Sequence, residues 1–459
     1  MRRQHCPSRA RRLAALALCW GLFLTLAVPA AGAQSKPRQT KTAASSQDAF
    51  TIGQAVDQGL AANPSIESRQ KVLEQAQLNI GTQRGAFFPT IAGFYSHQNY
   101  LHHGISRTAD DVTKEQASYG LRLTQPVFAG FGILNSYLRA KIQADLEGER
   151  LRQSKLDLIF NIQSEFIRLL RDKRDLVTVR GGIERLQQQL DAAEAFYKVG
   201  MAPYVNVLQS KLDLEKAQRE EINIQNSAKM HQAQLASYLS IPFDKVIDYQ
   251  GDLDSYPMDI PMAQADAVNM AMAGRPDVLA AKRNIEIADK DAKVTASQYF
   301  PKLNVQAEGG EVDTRYEQDR YQNGSTQYLA VTLNMTWELF NGGSTTYTYL
   351  GNKKRLEALK KELDNTANNA EVEIVKTYTA INDAQKLLEV CRTSIEQAKE
   401  AYAMAKKRYD TQIGTITDLT DTVFKLTKAY GDYNQALAEF HLARAKLFYN
   451  VGEARPDLR

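Results

Sequence analysis

The sequence predicts a mainly α-helical fold with a small β part, in which a long antiparallel α-helical barrel continues into four transmembrane β-strands per chain. The first observation is a proline-free segment, Gly132 to Val199, with apolar side chains at three- and four-residue spacing. At about 1.5 Å per residue this helix would be about 100 Å long, far beyond an ordinary globular helix. The other two observations are short segments of alternating apolar and polar residues, and an internal two-fold repeat of the whole arrangement.

Residues 1–33 are predicted to be a signal peptide for export. Five arginines precede an apolar run from Leu13 to Val28, and the small-residue motif Ala31-Gly32-Ala33 follows, so the mature chain is expected to start at Gln34. The alternative, a transmembrane anchor, would need a longer apolar run. Without these arginines, 52 basic residues face 53 acidic ones, so the formal charge of +4 belongs to the signal. The near-neutral mature chain therefore gives no reason from bulk charge to expect nucleic-acid binding.

The internal repeat has a constant offset of 212 residues. Asn63-Pro64 matches Arg275-Pro276, and Phe87-Phe88-Pro89 matches Tyr299-Phe300-Pro301. Val127-Phe128-Ala129-Gly130 likewise matches Leu339-Phe340-Asn341-Gly342. One offset that serves such distant pairs indicates a duplication. The predicted organisation is a flexible leader (34–50), a first repeat (51–240), a linker (241–261), a second repeat (262–452) and a C-terminal tail (453–459).

Each repeat is predicted to contain two shorter helices, a strand pair and a long helical hairpin. The first helix stops before an X-Pro pair and the second starts with that proline, since proline suits the first helical turn. The double glycine Gly181-Gly182 interrupts the first long helix and has no explanation in the sequence. The expected elements are short helices at 51–62 and 262–273, strand pairs at about 90–128 and 302–340 with polar connections at 102–114 and 313–326, and hairpins at 132–239 and 345–450 with tips near 200–206 and 411–418.

The strand pairs are predicted to have one apolar and one polar face. From Tyr328 to Phe340, the odd positions are apolar and most even positions are small or polar. Strands of about 9–11 residues can span a membrane, but open sheet edges cannot lie in hydrocarbon, so the strands must close between subunits. Four strands are too few for a barrel, whereas a trimer would supply twelve, an even number within the bacterial range.

Aromatic residues recur at all four junctions between strands and helices. They are interpreted as an aromatic girdle at the membrane interface. The alternative for any single residue is an ordinary core aromatic at a bend. The predicted membrane-interface aromatics are Phe87, Phe88, Phe128, Tyr299, Phe300, Trp337 and Phe340.

From about Thr51 to Gly452, the order of elements resembles the TolC family of outer-membrane efflux and secretion channels. The residues that carry the resemblance are Asn63-Pro64, Arg275-Pro276, the aromatic-Phe-Pro junctions, Gln125-Pro126-Val127-Phe128, Trp337 to Gly343, and the tip connections Val199-Gly200-Met201 and Tyr409 to Asp421. The resemblance implies a homotrimer with a twelve-stranded barrel in outer-membrane lipid and a periplasmic α-barrel. It further implies that the narrow tip docks onto a periplasmic adaptor (membrane fusion) protein attached to an inner-membrane pump of the RND, ABC or MFS type. The chain would then be the exit duct of a tripartite efflux or type I secretion system, with an iris-like opening at the periplasmic tip.

The resemblance also implies a ring of acids at the closed periplasmic aperture. Asp418 and Asp421 match the family positions, and three copies would gather six carboxylates, which would raise their pKa values and attract cations. The alternative is a solvated pair of acids that the helix dipole favours near a helix N-terminus. The first-half counterparts, Asn206 and Gln209, are uncharged, and Gln412 stands at a usual glycine, so a charge-based latch between tip helices is in doubt. The residues expected to face the adaptor are Val199, Gly200, Met201, Asn206, Val207, Leu208, Tyr409, Gly414, Ile416 and Leu419.

No catalytic, cofactor or metal-binding motif rises above a weak signal. His97, His102 and His103 are close in sequence but lack carboxylates with ligand spacing. No phosphate loop or nucleophile motif is present in the sequence, so an enzyme is not expected. The main alternative is a periplasmic coiled-coil structural or adaptor protein without a channel. An adaptor would have one hairpin flanked by compact β domains, and a pure rod would have no use for alternating strands.

Overall fold

The computed structural model describes residues 49–100, 113–245, 247–260, 262–316 and 323–453. The predicted signal peptide and most of the leader and tail lie outside these residues. The described helices are α1 Ile52–Ala62, α2 Pro64–Gly85, α3 Gly132–Lys198, α4 Tyr204–Leu239, α5 Gln264–Gly274, α6 Pro276–Ala296, α7 Ser344–Asp410 and α8 Ile416–Val451. The described strands are β1 Ala49–Phe50, β2 Thr90–Asn99, β3 Thr113–Ala129, β4 Asp248–Tyr249, β5 Lys302–Tyr316 and β6 Gly324–Thr336. The fold is mainly helical with a small β part, as the sequence predicts.

The first helices begin at side-chain caps. The hydroxyl of Thr51 accepts a hydrogen bond from the backbone N–H of Gln54, whose side chain accepts one from the Thr51 N–H in return. Asn63 ends α1, and its side chain accepts from the Ser65 N–H at the start of α2 (2.9 Å). The Asn63 amide also donates to the backbone oxygen of Tyr238 at the end of α4 (2.9 Å). This residue therefore joins the X-Pro junction to the base of the first hairpin.

The two long hairpins form one helical layer. Helices α3 and α7 each contain 67 residues, which corresponds to about 100 Å. α3 packs against α4 and α8, and α8 packs against α7, so the order across the layer is α4, α3, α8, α7. The helix runs unbroken through Gly181-Gly182. A Cβ on Gly182 would lie 2.8 Å from the Thr427 hydroxyl, so this glycine allows close approach of α8 to α3.

The four longer strands form one antiparallel sheet in the order β2-β3-β5-β6. Three boundaries of β5 and β6 differ from the sequence expectation. β5 and β6 extend into the expected connection 313–326, where the Arg315 guanidinium lies 3.1 Å from the Glu115 carboxylate of the neighbouring strand. β6 ends at Thr336 rather than near Phe340, because the chain turns towards Gly342 and Gly343, which both have positive φ.

The end of the leader and part of the linker meet against the helical layer. Residues 49–50 and 247–256 form this small region, which is called the belt. Ala49 and Phe50 pair in parallel with Asp248 and Tyr249, although residues 34–50 were expected to be flexible. Tyr249 is buried and packs edge-on against Phe166 of α3, with ring centroids 5.8 Å apart. The belt is thus fixed by core packing that a short polar-looking linker sequence does not reveal.

Among the described residues, most buried apolar side chains belong to two cores. The main core joins α1, α2, α3, α4, α5, α7 and α8 with the belt. A second core, the tip core, lies where α3 and α4 meet α7 and α8. The tip core consists of Leu186, Leu190, Ala193, Val207, Leu214, Ala217, Tyr409, Ile416, Leu419 and Val423.

Among the described residues, no helix is both long enough and apolar enough to cross a bilayer.

Candidate functional site

One face of the four-stranded sheet carries an exposed apolar band, and Glu311 and Asp313 lie beyond this band on the same face. The register aligns Gly93, Leu121, Gly309 and Leu329 across the four strands, and residues two positions away share this face. Seven large apolar side chains on it are between 55 % and 82 % exposed. A soluble protein would cover such a surface. These residues are Ile91, Tyr95, Leu121, Leu329, Val331, Leu333 and Met335.

The opposite face carries a polar network that the sequence did not single out. Arg122 Nε donates to Glu308 Oε2 (2.6 Å), and the Tyr328 hydroxyl donates to Glu308 Oε1 (2.7 Å). The Gln306 amide completes the shell around this carboxylate at 2.9 Å, and the guanidinium stacks over Phe94 at 5.1 Å. Charge pairs of this kind are compatible with a water-lined surface and costly against hydrocarbon.

The predicted junction aromatics gather at one end of the sheet, where all four strands meet the helices. Phe128 is half-buried, and the other six are exposed. Phe87 contacts Tyr137 edge-on at 5.9 Å, and the Trp337 indole N–H donates to the backbone oxygen of Tyr299 (3.1 Å). The strand ends and the first turns of α3 and α7 hold this aromatic collar in place. It comprises Phe87, Phe88, Phe128, Tyr299, Phe300, Trp337 and Phe340.

The two predicted aperture acids lie exposed in the first turns of α8. The Asp418 N–H donates to the Thr415 hydroxyl (3.1 Å), and the Asp418 carboxylate accepts from the Thr415 N–H (3.4 Å). Hydrogen bonds from the Thr415 side chain and backbone to the Asp418 carboxylate lower the pKa of Asp418, the opposite of the increase expected for crowded carboxylates. Asp421 lies 2.6 Å from the Lys425 ammonium. Within one chain, both acids therefore lie near the helix N-terminus with local partners, and their assembly into a ring stays a prediction.

The expected adaptor-facing residues divide into exposed and buried groups. Val199, Met201 and Leu208 are at least half exposed, and Gly200 forms the turn with φ of 76°. Gln412 takes the same left-handed conformation (φ 60°) in the second turn. Asn206 and Gly414 are half-buried. Four others are at odds with the expectation, because they lie in the tip core and join the hairpins: Val207, Tyr409, Ile416 and Leu419.

His441 is a buried histidine at a position where the sequence predicts no functional residue. His441 is fully buried in α8, its Nε2 lies 2.9 Å from the backbone oxygen of Leu253 in the belt, and Tyr256 packs edge-on against its ring. Burial lowers the pKa of His441 to about 4. His97 lies in β2, whereas His102 and His103 fall outside the described residues. Among the residues that the structure describes, no group of His, Cys, Asp and Glu is arranged to hold a metal ion.

Comparison with known proteins places these features in a family. The sequence model of the outer membrane efflux protein family matches residues 55–240 and 267–453. The chain is 20 % identical to the outer membrane protein TolC of Vibrio cholerae over 84 % of this chain and 90 % of that protein. It is 23 % identical to the outer membrane efflux protein BepC of Brucella suis, with 76 % and 71 % of the two chains covered.

Solved structures share the fold. The outer-membrane channel OprN superimposes with a TM-score of 0.77 at 17 % identity, covering 88 % of this chain and 90 % of OprN. The outer membrane protein VceC of Vibrio cholerae gives 0.76 at 16 % identity, with 88 % and 96 % covered. The two matched segments span most of the sequence and include the strands, both hairpins and the tip. The chain therefore belongs to the outer membrane efflux protein family, which confirms the family resemblance of its sequence.

Proposed function

We propose that this protein is the outer-membrane exit duct of a tripartite export system, which carries substrates from an inner-membrane pump across the periplasm and the outer membrane. The observation that carries this proposal is a sheet with an uncovered apolar face, joined end to end to helices of about 100 Å. A protein with this architecture can span a lipid layer and extend far beyond it. A periplasmic coiled-coil protein without a channel would have no use for the lipid-compatible face.

Closure of the tube requires further copies of the chain. Among the described strands, β2 pairs only with β3 and β6 pairs only with β5, so both outer edges lack partners. Unpaired backbone groups cannot stay exposed in hydrocarbon. We infer a homotrimer, because three copies supply twelve strands and match the family resemblance.

The helical layer offers edges that suit the same closure. α4 and α7 are the outer helices of the layer, and each exposes apolar side chains that fall on one helical face at about 100° per residue. Packing α4 of one copy against α7 of the next would cover both stripes. They consist of Val205, Leu208, Leu212, Ile222 and Met230 on α4, and of Val372, Val375, Leu387, Val390 and Met404 on α7.

The tip is proposed as the gated, adaptor-binding end. Its exposed apolar residues Val199 and Met201 suit docking to a periplasmic adaptor, and Asp418 and Asp421 would ring the aperture in a closed trimer. Opening would be an iris-like movement of the second hairpin. Relatives carry names that mention toluene efflux and pyoverdine export. These names support export as the general activity, whereas substrate choice and any type I secretion role depend on the pump.

The aperture is tested by cation block of single-channel current. Asp418→Asn combined with Asp421→Asn should raise the half-blocking concentration of a multivalent cation about tenfold, since each factor of ten corresponds to about 1.4 kcal/mol of lost attraction. Asp432→Asn, an exposed acid farther along α8, is the matched control and should leave block unchanged. Equal block in all variants would contradict the assignment of these acids to the aperture.

Adaptor docking is tested by site-specific cross-linking. Cross-linking from Met201 should capture the adaptor, and cross-linking from the buried Ile416 should not.

A further inference from the structure

A small cavity lies inside the tip core, between α3 of the first hairpin and both helices of the second. Its volume is about 40 Å³. The side chains that matter are Arg185 and Gln189 on α3 and Tyr409 on α7, while Leu419 and Val423 of α8 close it from the other side. The cavity therefore lies at a contact between the two hairpins and is partly open to solvent, since the exposed residues Lys406 and Asp410 also line it.

Three of these lining residues carry a buried polar atom that no described residue satisfies. The atoms are Arg185 Nε, Gln189 Oε1 and the Tyr409 hydroxyl. Gln189 is 4 % exposed and Tyr409 is 6 % exposed, so bulk water does not reach them freely. Buried polar groups without a partner are rare and destabilising, and three around one cavity call for a common partner.

The orientation of Gln189 is fixed by its other end. Its Nε2 donates to the Thr420 hydroxyl (2.5 Å) and approaches the backbone oxygen of Ile416 (3.5 Å). The amide oxygen is consequently left as a pure acceptor among the cavity residues. The guanidinium of Arg185 is a pure donor, and a tyrosine hydroxyl can take either role.

We propose that the cavity binds ordered water that bridges the two hairpins. A water molecule can donate to Gln189 Oε1 while it accepts from Arg185 Nε or the Tyr409 hydroxyl. A cavity needs roughly 10–15 Å³ and two to four polar partners to hold a water, and this cavity meets both requirements. An anion fits the site less well, because the Gln189 oxygen would face it and the Asp410 carboxylate also lines the cavity.

The water site has a consequence for opening, and this step rests on the proposed function. Any iris-like movement must shift α7 and α8 relative to α3, and a tightly packed apolar contact resists such sliding. Hydrogen bonds through water exchange partners at little enthalpic loss. The hydrated cavity is thus the contact within the tip core that allows the second hairpin to move relative to the first.

The site is tested first by a high-resolution crystal structure of the full-length protein in detergent. A density peak about 2.6–3.2 Å from Gln189 Oε1, with a second contact to Arg185 Nε or the Tyr409 hydroxyl, is expected. Crystals soaked in bromide should show no anomalous peak there. A dry cavity, or one that holds bromide, would overturn the proposal without affecting the channel function, which is measured separately by conductance.

A double-mutant cycle tests the shared water in solution. Tyr409→Phe should lower the thermal midpoint by about 2 °C, and by clearly less in the Gln189→Met background, because both residues bind the same water. Tyr204→Phe is the control, since Tyr204 is an exposed tip tyrosine outside the cavity. Its effect should be additive with Gln189→Met. Additive effects for Tyr409 as well would contradict a common water.

Discussion

His441 makes the attachment of the belt to α8 sensitive to acid. The neutral ring donates from Nε2 to the Leu253 oxygen, and Tyr256 and Phe440 enclose it. Arg444 also disfavours a positive imidazole, whereas Asp254 and the Leu253 oxygen favour it without offsetting burial. We predict that acidification alone weakens the packing of the belt onto the helical layer.

The magnitude follows from the pKa of His441 in the two states. The folded protein holds the pKa at about 4, against 6.5 for an ordinary histidine. Between these values the unfolded chain binds more protons, so stability is complete above pH 6.5 and falls as the pH drops towards 4. At about 1.4 kcal/mol per pH unit, the loss between pH 7 and pH 4.5 is ~2 kcal/mol, and it reaches ~3 kcal/mol below pH 4.

The assay compares thermal midpoints at pH 7 and pH 4.5 for the wild type and His441→Gln. Glutamine can donate to the Leu253 oxygen but does not titrate in this range. The variant should be less stable at pH 7, because it loses the ring packing, and its midpoint should depend less on pH. Histidine-selective NMR labelling gives the pKa directly. A His441 pKa near 6.5, or an identical pH dependence in both proteins, would refute this reasoning.

Two further pairs of substitutions test backbone features of the hairpins. Gly181→Ala should stabilise α3 by up to about 1 kcal/mol because its Cβ would meet no clash, whereas Gly182→Ala should give no gain, since its Cβ would press on the Thr427 hydroxyl. Equal gains would contradict the close approach of α8 to α3. Gln412→Gly should raise stability by about 0.5–1 kcal/mol by relieving a left-handed residue, and Gly200→Ala should lower it by about 1 kcal/mol. Both pairs are measured by chemical unfolding. A destabilised Gln412→Gly protein would show that the contact of the Gln412 amide with Met201 of the first turn outweighs the strain of the left-handed conformation.

The hairpins were predictable because local signals repeat along their whole length. The sequence placed α4 at 204–239, as observed, and α3 one residue too long. Apolar periodicity and the positions of glycine and proline are local properties of the sequence, so they predict helix ends well. The alternation of apolar and polar residues predicted the four longer strands. It did not predict the end of β6, because Trp337 leaves the strand and its indole N–H donates to the backbone oxygen of Tyr299.

Burial at the tip could not be predicted, because it depends on the packing of α3 against α8. Val207 and Leu208 are neighbours in sequence, yet one is in the tip core and the other is exposed. Periodicity gives the width of an apolar face but not which partner covers it. His441 and Gln189 were missed for the same reason, since their partners lie on the belt and on α8.

Three left-handed non-glycine residues each lie 212 positions from a glycine with positive φ. Gln412 corresponds to Gly200 at the offset of 212, and both have positive φ. Phe131 corresponds in the same way to Gly343, and Ser240 to Gly452. At these three positions a glycine with positive φ in one half corresponds to a left-handed residue in the other, which comparison of the two halves could reveal.

The central claim is that several copies of this chain close into a pore through the outer membrane. The most direct measurement is single-channel current after the purified protein is added to a planar lipid bilayer, with the mass of the detergent-solubilised particle determined in parallel. The account predicts uniform conductance steps from a particle of three chains. A monomer that stays out of the bilayer and gives no steps would contradict it.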